Sequence, residues 1–313
     1  MKIFNSFNKL FASSNVIQST APCFLISKIL GTSFYKISKN QKIKFSFLGL
    51  AFFLIFFSSY IIIFFMHFPS FNKKKQLNQL ISIGDYIIIY LLTFLFFIAR
   101  TYNSKKYLII LKEILKIDDI FETLNIIFNY KNFKKFIILQ QTFALLFVMW
   151  IYTLNIFIGY LIKNIFPLSL LLSAFWVEET RFCLLLISRA ISNLLKERFL
   201  SINKELIGYN LSAKKIYKLR MLHYELCDIC EMFNDVEAIP ILSLFALVFP
   251  IIVFNIYYFY SNMYNNGEQV WLKFFNTLIL MVRFICVVIL VIPHYVALAK
   301  EVNLIFFKLF YLD

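Results

Sequence analysis

The chain has 313 residues, of which 61% are hydrophobic and only 16% are charged. Soluble globular domains are typically about 45–50% apolar and about 25% charged, so this composition excludes an ordinary soluble fold. The formal net charge is +15, but the basic residues lie between apolar runs and not in one stripe, so we expect no nucleic-acid partner.

The N-terminal residues 1–44 are mostly polar and basic, with one short apolar stretch that contains Pro22. We expect a cytoplasmic segment with a short apolar helix and no cleavable signal peptide. The chain has five cysteines, an odd number without a framework spacing, so we expect no structural disulfide.

Six later segments are long and apolar enough to cross a bilayer as helices. They lack the strict alternation of barrel strands, and backbone groups in lipid must be hydrogen-bonded within the spanning structure. We therefore predict an all-α fold, a polytopic transmembrane helix bundle over residues 45–299. The predicted spans are residues 45–68, 80–99, 136–162, 165–191, 238–260 and 271–299.

Lysine and arginine gather on one side of the predicted bundle. Loops rich in these residues stay in the cytoplasm, so the N-terminus is predicted to be cytoplasmic, and six crossings return the tail to the same side. This orientation conflicts with a G-protein-coupled receptor, whose N-terminus is outside. The basic segments are residues 1–44, 100–135, 192–237 and 300–313.

The cytoplasmic segment 192–237 has few turn-forming residues. We predict a helix that continues from the fourth span, a turn near residues 208–213, and a second helix that leads into the fifth span. The second helix has an apolar seam at spacings of three and four, which is typical of a packed helix. The seam residues are Leu219, Leu222, Leu226, Ile229 and Phe233.

Next to this seam, His223, Cys227 and Cys230 resemble a set of metal ligands, and Asn234 continues their stripe. On a straight helix His223 and Cys230 are about 10 Å apart along the axis, whereas zinc bonds are only about 2.0–2.3 Å long. A fourth ligand is also missing. We therefore expect no metal, and we interpret the cysteines as small apolar fillers of a packed helix.

The helix "LHYELCDICEMFND" running through "EMFNDVEAIPIL" resembles the insect gustatory receptor family, as does the N-terminal "APCFLISKILGTSFYKI". This resemblance implies seven spans, a cytoplasmic N-terminus and a long cytoplasmic stretch between the fourth and fifth spans. It also implies a subunit of a ligand-gated cation channel that forms homo- or hetero-tetramers. Odorant receptors share this topology and remain an alternative.

The C-terminal end departs from the family pattern. The family's seventh span lines the pore and carries a Thr-Tyr … Gln-Phe signature, whereas this chain finishes with "EVNLIFFKLFYLD". We therefore expect six of the seven spans, a short tail at residues 300–313, and a receptor truncated before its pore-lining span. No pore residue can be assigned by the resemblance.

Charged residues inside the predicted spans need partners or a water-filled cavity. Glu178 and Arg181 are three residues apart and can pair on one face, and Glu179 points about 100° away. The predicted partner of Arg283 in the sixth span is Glu179 or Glu178. Alternatively, the fourth span is tilted and its inner half already lies in the cytoplasm.

Aromatic and polar residues in the outer halves of the spans form the predicted ligand pocket, since small-molecule sites are mostly apolar with a few polar groups. The alternative is that they anchor the helices at the membrane interface, or that Asp85 caps its helix. The pocket candidates are Asp85, Tyr86, Tyr90, Trp150, Tyr152, Asn155, Phe175, Trp176 and Tyr257.

The functional expectation is a taste receptor at the plasma membrane of sensory neurons, with a small-molecule tastant, the lipid bilayer and other receptor subunits as partners. The rival classes are a polytopic transporter and a membrane-embedded enzyme. Neither internal repeats nor a catalytic constellation is visible, so we predict no catalytic residue, no cofactor and no enzymatic activity.

Overall fold

The computed structural model describes residues 15–37, 42–67, 77–161, 168–206, 212–264, 271, 278, 282, 285–286, 289 and 292–303, and the side chains of most of them. Helices dominate this part of the chain, so the predicted all-α fold is confirmed. Arg283 and most of the predicted sixth span lie outside the described residues.

The N-terminal segment begins with helix α1, Val16–Ile29, whose first turn is capped by the Asn15 side chain. Pro22 lies inside this helix and does not end it. Gly31 follows with φ of +72°, and a Cβ there would approach the Phe53 backbone to 2.9 Å, so only glycine fits this turn.

A short antiparallel pair of strands follows α1 and was not predicted. Strand β1, Tyr35–Ile37, pairs with β2, Ile43–Phe45, with Tyr35 opposite Phe45. Each strand has only three residues, too few to show an alternating pattern in the sequence.

Five long helices make up most of the structure, and several extend well beyond the predicted spans. At 1.5 Å per residue, the 47 residues of α3 reach about 70 Å, more than twice the hydrocarbon core of a bilayer. Residues 292–303 are also helical. The five helices are α2 Phe47–His67, α3 Leu77–Thr123, α4 Tyr130–Leu161, α5 Leu168–Leu206 and α6 Ala213–Tyr264.

One helical stretch among the described residues, Tyr130–Leu154, is both long and apolar enough to cross a membrane. Its outward side chains are largely apolar: Leu139 and Phe143 are 67% and 68% exposed. The first five predicted spans each overlap one of α2 to α6, and their limits in the membrane remain predictions.

The main hydrophobic core lies on the predicted cytoplasmic side, where the inner parts of α3, α5 and α6 meet. Every residue of the predicted α6 seam, from Leu219 to Phe233, is buried, which confirms that interpretation of the spacing. α5 ends at Leu206 and α6 begins at Ala213, on either side of the predicted turn, and residues 207–211 lie outside the described part.

Candidate functional site

Among the described residues, the most deeply buried ion pair joins Arg100 of α3 to Glu237 of α6. Their side chains are 2% and 0% exposed, and Arg100 Nη2 lies 2.9 Å from Glu237 Oε2. Charges this deeply buried are costly unless they are paired and hydrogen-bonded. The pair therefore needs the surrounding donors and acceptors that the fold supplies.

Tyr107 and Ser188 complete this arrangement, which we call the inner network (Arg100, Tyr107, Ser188 and Glu237). The Tyr107 hydroxyl accepts from Arg100 Nη1 and donates to Glu237 Oε1 over 2.8 Å. Arg100 Nη2 also donates to Ser188 Oγ on α5. Burial raises the pKa of Tyr107 well above its usual value, although the charge of Arg100 opposes this, so the hydroxyl keeps its proton and remains a donor.

The inner network joins α3, α5 and α6, and its residues lie at or near the same end of three predicted spans. Arg100 directly follows the predicted second span, and Glu237 directly precedes the predicted fifth span. Ser188 lies near the inner end of the predicted fourth span. The network therefore joins the ends of three predicted spans on the side that is predicted to be cytoplasmic.

A second buried ion pair lies farther into the predicted cytoplasmic region. Arg198 of α5 donates from Nε and Nη2 to the two carboxylate oxygens of Asp118 on α3, each over 2.9 Å. The Tyr130 hydroxyl, at the start of α4, donates to Asp118 and accepts from Arg198. The Arg198 guanidinium also stacks 4.5 Å from the centre of the Phe128 ring. This bidentate pair fixes the connection between α3 and α4 against α5.

A small cavity of about 20 Å³ lies beside Arg100 and has room for one water molecule. It is lined by hydroxyl groups of the N-terminal segment and of α3, together with apolar residues of α1 and α5. None of the residues predicted for the ligand pocket takes part in it. The lining residues are Phe24, Ser27, Thr32, Ser33, Arg100, Ser104, Tyr107, Leu184 and Ile187.

The predicted ligand residues whose side chains are described do not form one cluster. Tyr152 is buried in a core with Val148 and Phe182. Trp150 is 59% exposed and Tyr257 is 39% exposed, so these two point out of the chain. The backbones of the others are helical, but their side chains lie outside the described set: Asp85, Tyr86, Tyr90, Asn155, Phe175 and Trp176.

The predicted intramembrane charge group is described in part. Glu179 is 7% exposed and accepts from the Cys183 thiol over 3.2 Å. Arg181 is 3% exposed. The Glu178 side chain and all of Arg283 lie outside the described residues, so the pairings proposed for them remain predictions.

The stripe of His223, Cys227 and Cys230 lies against the main hydrophobic core. The His223 ring packs edge-on against Phe199, with 5.6 Å between ring centres, and Cys227 Sγ lies 3.8 Å from His223 Nδ1. The pKa of Cys230 is raised to about 12, mainly by burial and to a smaller extent by the nearby Cys227. The ring contact with Phe199 and the burial of Cys230 are those of side chains packed against neighbouring helices.

The sequence interpretation missed the inner network, although its residues carried a signal. Arg100 and Glu237 are charges placed immediately at the ends of apolar runs. On sequence alone, Arg100 counts only as one of the basic residues that set the orientation, and Glu237 has no assigned role. Both charges adjoin predicted spans on the same predicted side of the membrane, and they have opposite signs. Their positions in the sequence therefore make them candidates for an ion pair.

Comparison with known proteins agrees with this architecture. Residues 20–311 match the model of a family described as 7tm Chemosensory receptor. A search among curated proteins finds no match. Since the family match covers far more than half of the sequence, the chain belongs to the 7tm chemosensory receptor family.

Proposed function

We propose that this chain is a subunit of a gustatory receptor, a ligand-gated cation channel that detects small-molecule tastants at the plasma membrane of sensory neurons. The observation that carries the proposal is the family match over residues 20–311. The α6 residues that resemble gustatory receptors, from Leu222 to Leu242, include Glu237 and all of the seam except Leu219.

The inner network offers a route from ligand binding to the cytoplasmic side. A ligand shifts a conformational equilibrium only as far as it binds one state better than the other. A tastant held among the outer halves of α3, α5 and α6 would favour one arrangement of these helices. Because Arg100 bonds to both α5 and α6, a shift of one helix changes its contacts with the other two.

The test is to express the chain in cultured cells, alone and together with another subunit of the family, and to record whole-cell currents. Tastants should evoke a cation current, and airborne odorants should not. A preference for odorants would assign the chain to the odorant receptors. Uptake of a labelled solute without any current would indicate a transporter.

The predicted pocket is tested in the same cells with Asp85→Asn and Trp176→Ala. Each change should raise the tastant concentration needed for half-maximal current by about tenfold, since one lost polar or aromatic contact costs roughly 1–2 kcal/mol. The matched control is Leu139→Ala, on the exposed face of α4. Unchanged responses in both pocket variants would remove these residues from the site.

A further inference from the structure

A row of basic and amide side chains follows one face of α5 near the inner end of the predicted fourth span. Arg189, Asn193 and Lys196 recur at spacings of four and three, so they share one side of the helix. All three side chains are half-buried, so they do not extend fully into solvent, and we call the space between them and the neighbouring elements a groove.

Two neighbouring elements form the walls of this groove. With its amide oxygen turned toward α5, Gln140 of α4 accepts hydrogen bonds from Arg189 Nε and Nη1 at 3.1 Å each. On the other side, His294 Nδ1 lies 3.0 Å from Asn193 Oδ1. Arg189 and Lys196 are both within electrostatic reach of the His294 ring. We call these five residues (Gln140, Arg189, Asn193, Lys196 and His294) the basic groove.

The basic groove has no salt-bridge partner among the described residues. No carboxylate in that part of the chain lies within salt-bridge distance of Arg189 or Lys196. Glu197, next to Lys196 in sequence, lies within electrostatic reach of it, but its side chain is exposed and about 100° around α5 from the groove. Gln140 and His294, which contact the row from the two neighbouring elements, are neutral, so the positive charges can attract an anion from outside the chain.

The position of the groove indicates the source of that anion. Arg189 lies two residues before the end of the predicted fourth span, so the groove is at the depth of the inner-leaflet headgroups. Phe136, at the rim, has its ring centre 5.9 Å from the Arg189 guanidinium. Leu139 and Phe143 continue the exposed apolar face of α4 toward the membrane centre, where acyl chains would lie.

We propose that the basic groove binds the phosphate of an anionic phospholipid from the inner leaflet. Arg189 and Lys196 supply the charge, and the acyl chains lie along the exposed face of α4. Phosphatidylcholine is neutral, because its ammonium group balances the phosphate, whereas the additional carboxylate of phosphatidylserine leaves that lipid with a net negative charge. Two fixed positive charges therefore favour phosphatidylserine. This lipid would join α4, α5 and the helical segment 292–303.

The test uses the intact chain, purified in a neutral detergent, with native mass spectrometry to measure bound lipid. The probes are phosphatidylserine, phosphatidylcholine and inorganic phosphate. We expect phosphatidylserine to bind at least tenfold more tightly than phosphatidylcholine. Each basic residue near an anionic membrane surface strengthens binding about fivefold. Lys196→Gln should therefore weaken phosphatidylserine binding about fivefold, and Arg189→Gln combined with Lys196→Gln should weaken it about thirtyfold.

The matched control is Lys105→Gln combined with Lys106→Gln, which removes two exposed positive charges from α3 near the same predicted membrane edge. Its binding should change by less than twofold. The proposal is overturned if the control loses as much affinity as the groove variant, or if inorganic phosphate binds as tightly as the lipid. Should the double groove variant fail to fold, unchanged binding by Lys196→Gln alone is sufficient to overturn it.

Discussion

Glu237 determines whether the charge of Arg100 can remain buried. Removing one partner of a buried pair typically costs about 3–5 kcal/mol, because the other charge is left without compensation. Glu237→Ala leaves the guanidinium facing only the hydroxyls of Tyr107 and Ser188 and the Leu184 carbonyl. We expect a loss of this size in the free energy of unfolding, measured by urea denaturation of the detergent-solubilised protein.

Two variants separate the lost pairing from a general effect of mutation. Glu113→Ala breaks the exposed pair with Lys116, whose side chains are 34% and 67% exposed, and should cost less than about 1 kcal/mol. Replacing both Arg100 and Glu237 with leucine removes both charges and should restore much of the stability lost in Glu237→Ala. If that double variant is as unstable as the single one, uncompensated charge is not the cause.

Tyr130 gives a second prediction at the scale of one residue. Its hydroxyl both donates to Asp118 and accepts from Arg198, so Tyr130→Phe leaves two buried charged groups each without one hydrogen-bond partner. The expected loss is about 1–3 kcal/mol in the same denaturation experiment. Tyr217→Phe is the control, since Tyr217 is 65% exposed on α6. Equal losses in the two variants would contradict a specific role for the Tyr130 hydroxyl.

At the scale of whole elements, the sequence predicts what is local to one helix and misses what depends on contacts between helices. The seam from Leu219 to Phe233 repeats every three or four residues, so its buried face can be identified from the spacing alone. The pairing of Arg100 with Glu237 joins residues 137 positions apart. The spacing pattern within one helix does not identify that partner; only the position of both charges at span ends on the same predicted side makes the pairing a candidate.

The N-terminal segment illustrates the same limit. Proline usually breaks a helix interior, yet α1 continues through Pro22. Pro22 has no backbone N–H, so α1 lacks one helical hydrogen bond. The helix can continue through the proline when packing holds it in place. Cys23 and Val16 of α1 are both buried against the core, which supplies that support.

The packing of His223, in the first half of α6, leads to a prediction about pH. Burial lowers the pKa of His223 below 6.5, and a hydrogen bond with the Val302 backbone opposes this only in part. The folded protein therefore favours the neutral ring. As the pH falls below about 6.5, the unfolded chain takes up the proton first, and stability is lost until the pH passes the lowered pKa of the folded state.

This dependence is measured as the urea midpoint between pH 7.5 and pH 5 for the original chain and for His223→Gln. The original chain should lose stability on acidification more steeply than the variant. Other groups titrate in both proteins and cancel in the comparison. Parallel curves for the two proteins would show that His223 is not held neutral by its surroundings.

At the scale of the molecule, the contacts of segment 292–303 show in which direction its chain runs relative to α5, and this direction agrees with the predicted topology. Asn193 of α5 contacts His294, and Asn203, ten residues farther along α5, donates to Glu301 over 3.0 Å. α5 and this segment therefore run parallel. The fourth and sixth predicted spans must run in the same direction, because both cross from outside to inside.

The topology itself gives the last prediction. Short epitope tags are inserted separately within residues 207–211 and within residues 265–270, which the predicted spans place on opposite sides of the membrane. The first tag should react with antibody only after the cells are permeabilised, and the second should react in intact cells. Each tagged protein is compared with the untagged chain by surface biotinylation, so that a tag that blocks delivery to the cell surface is recognised. Staining of the first tag in intact cells would reverse the orientation and would place the inner network and the basic groove on the outside, where inner-leaflet lipid cannot reach them.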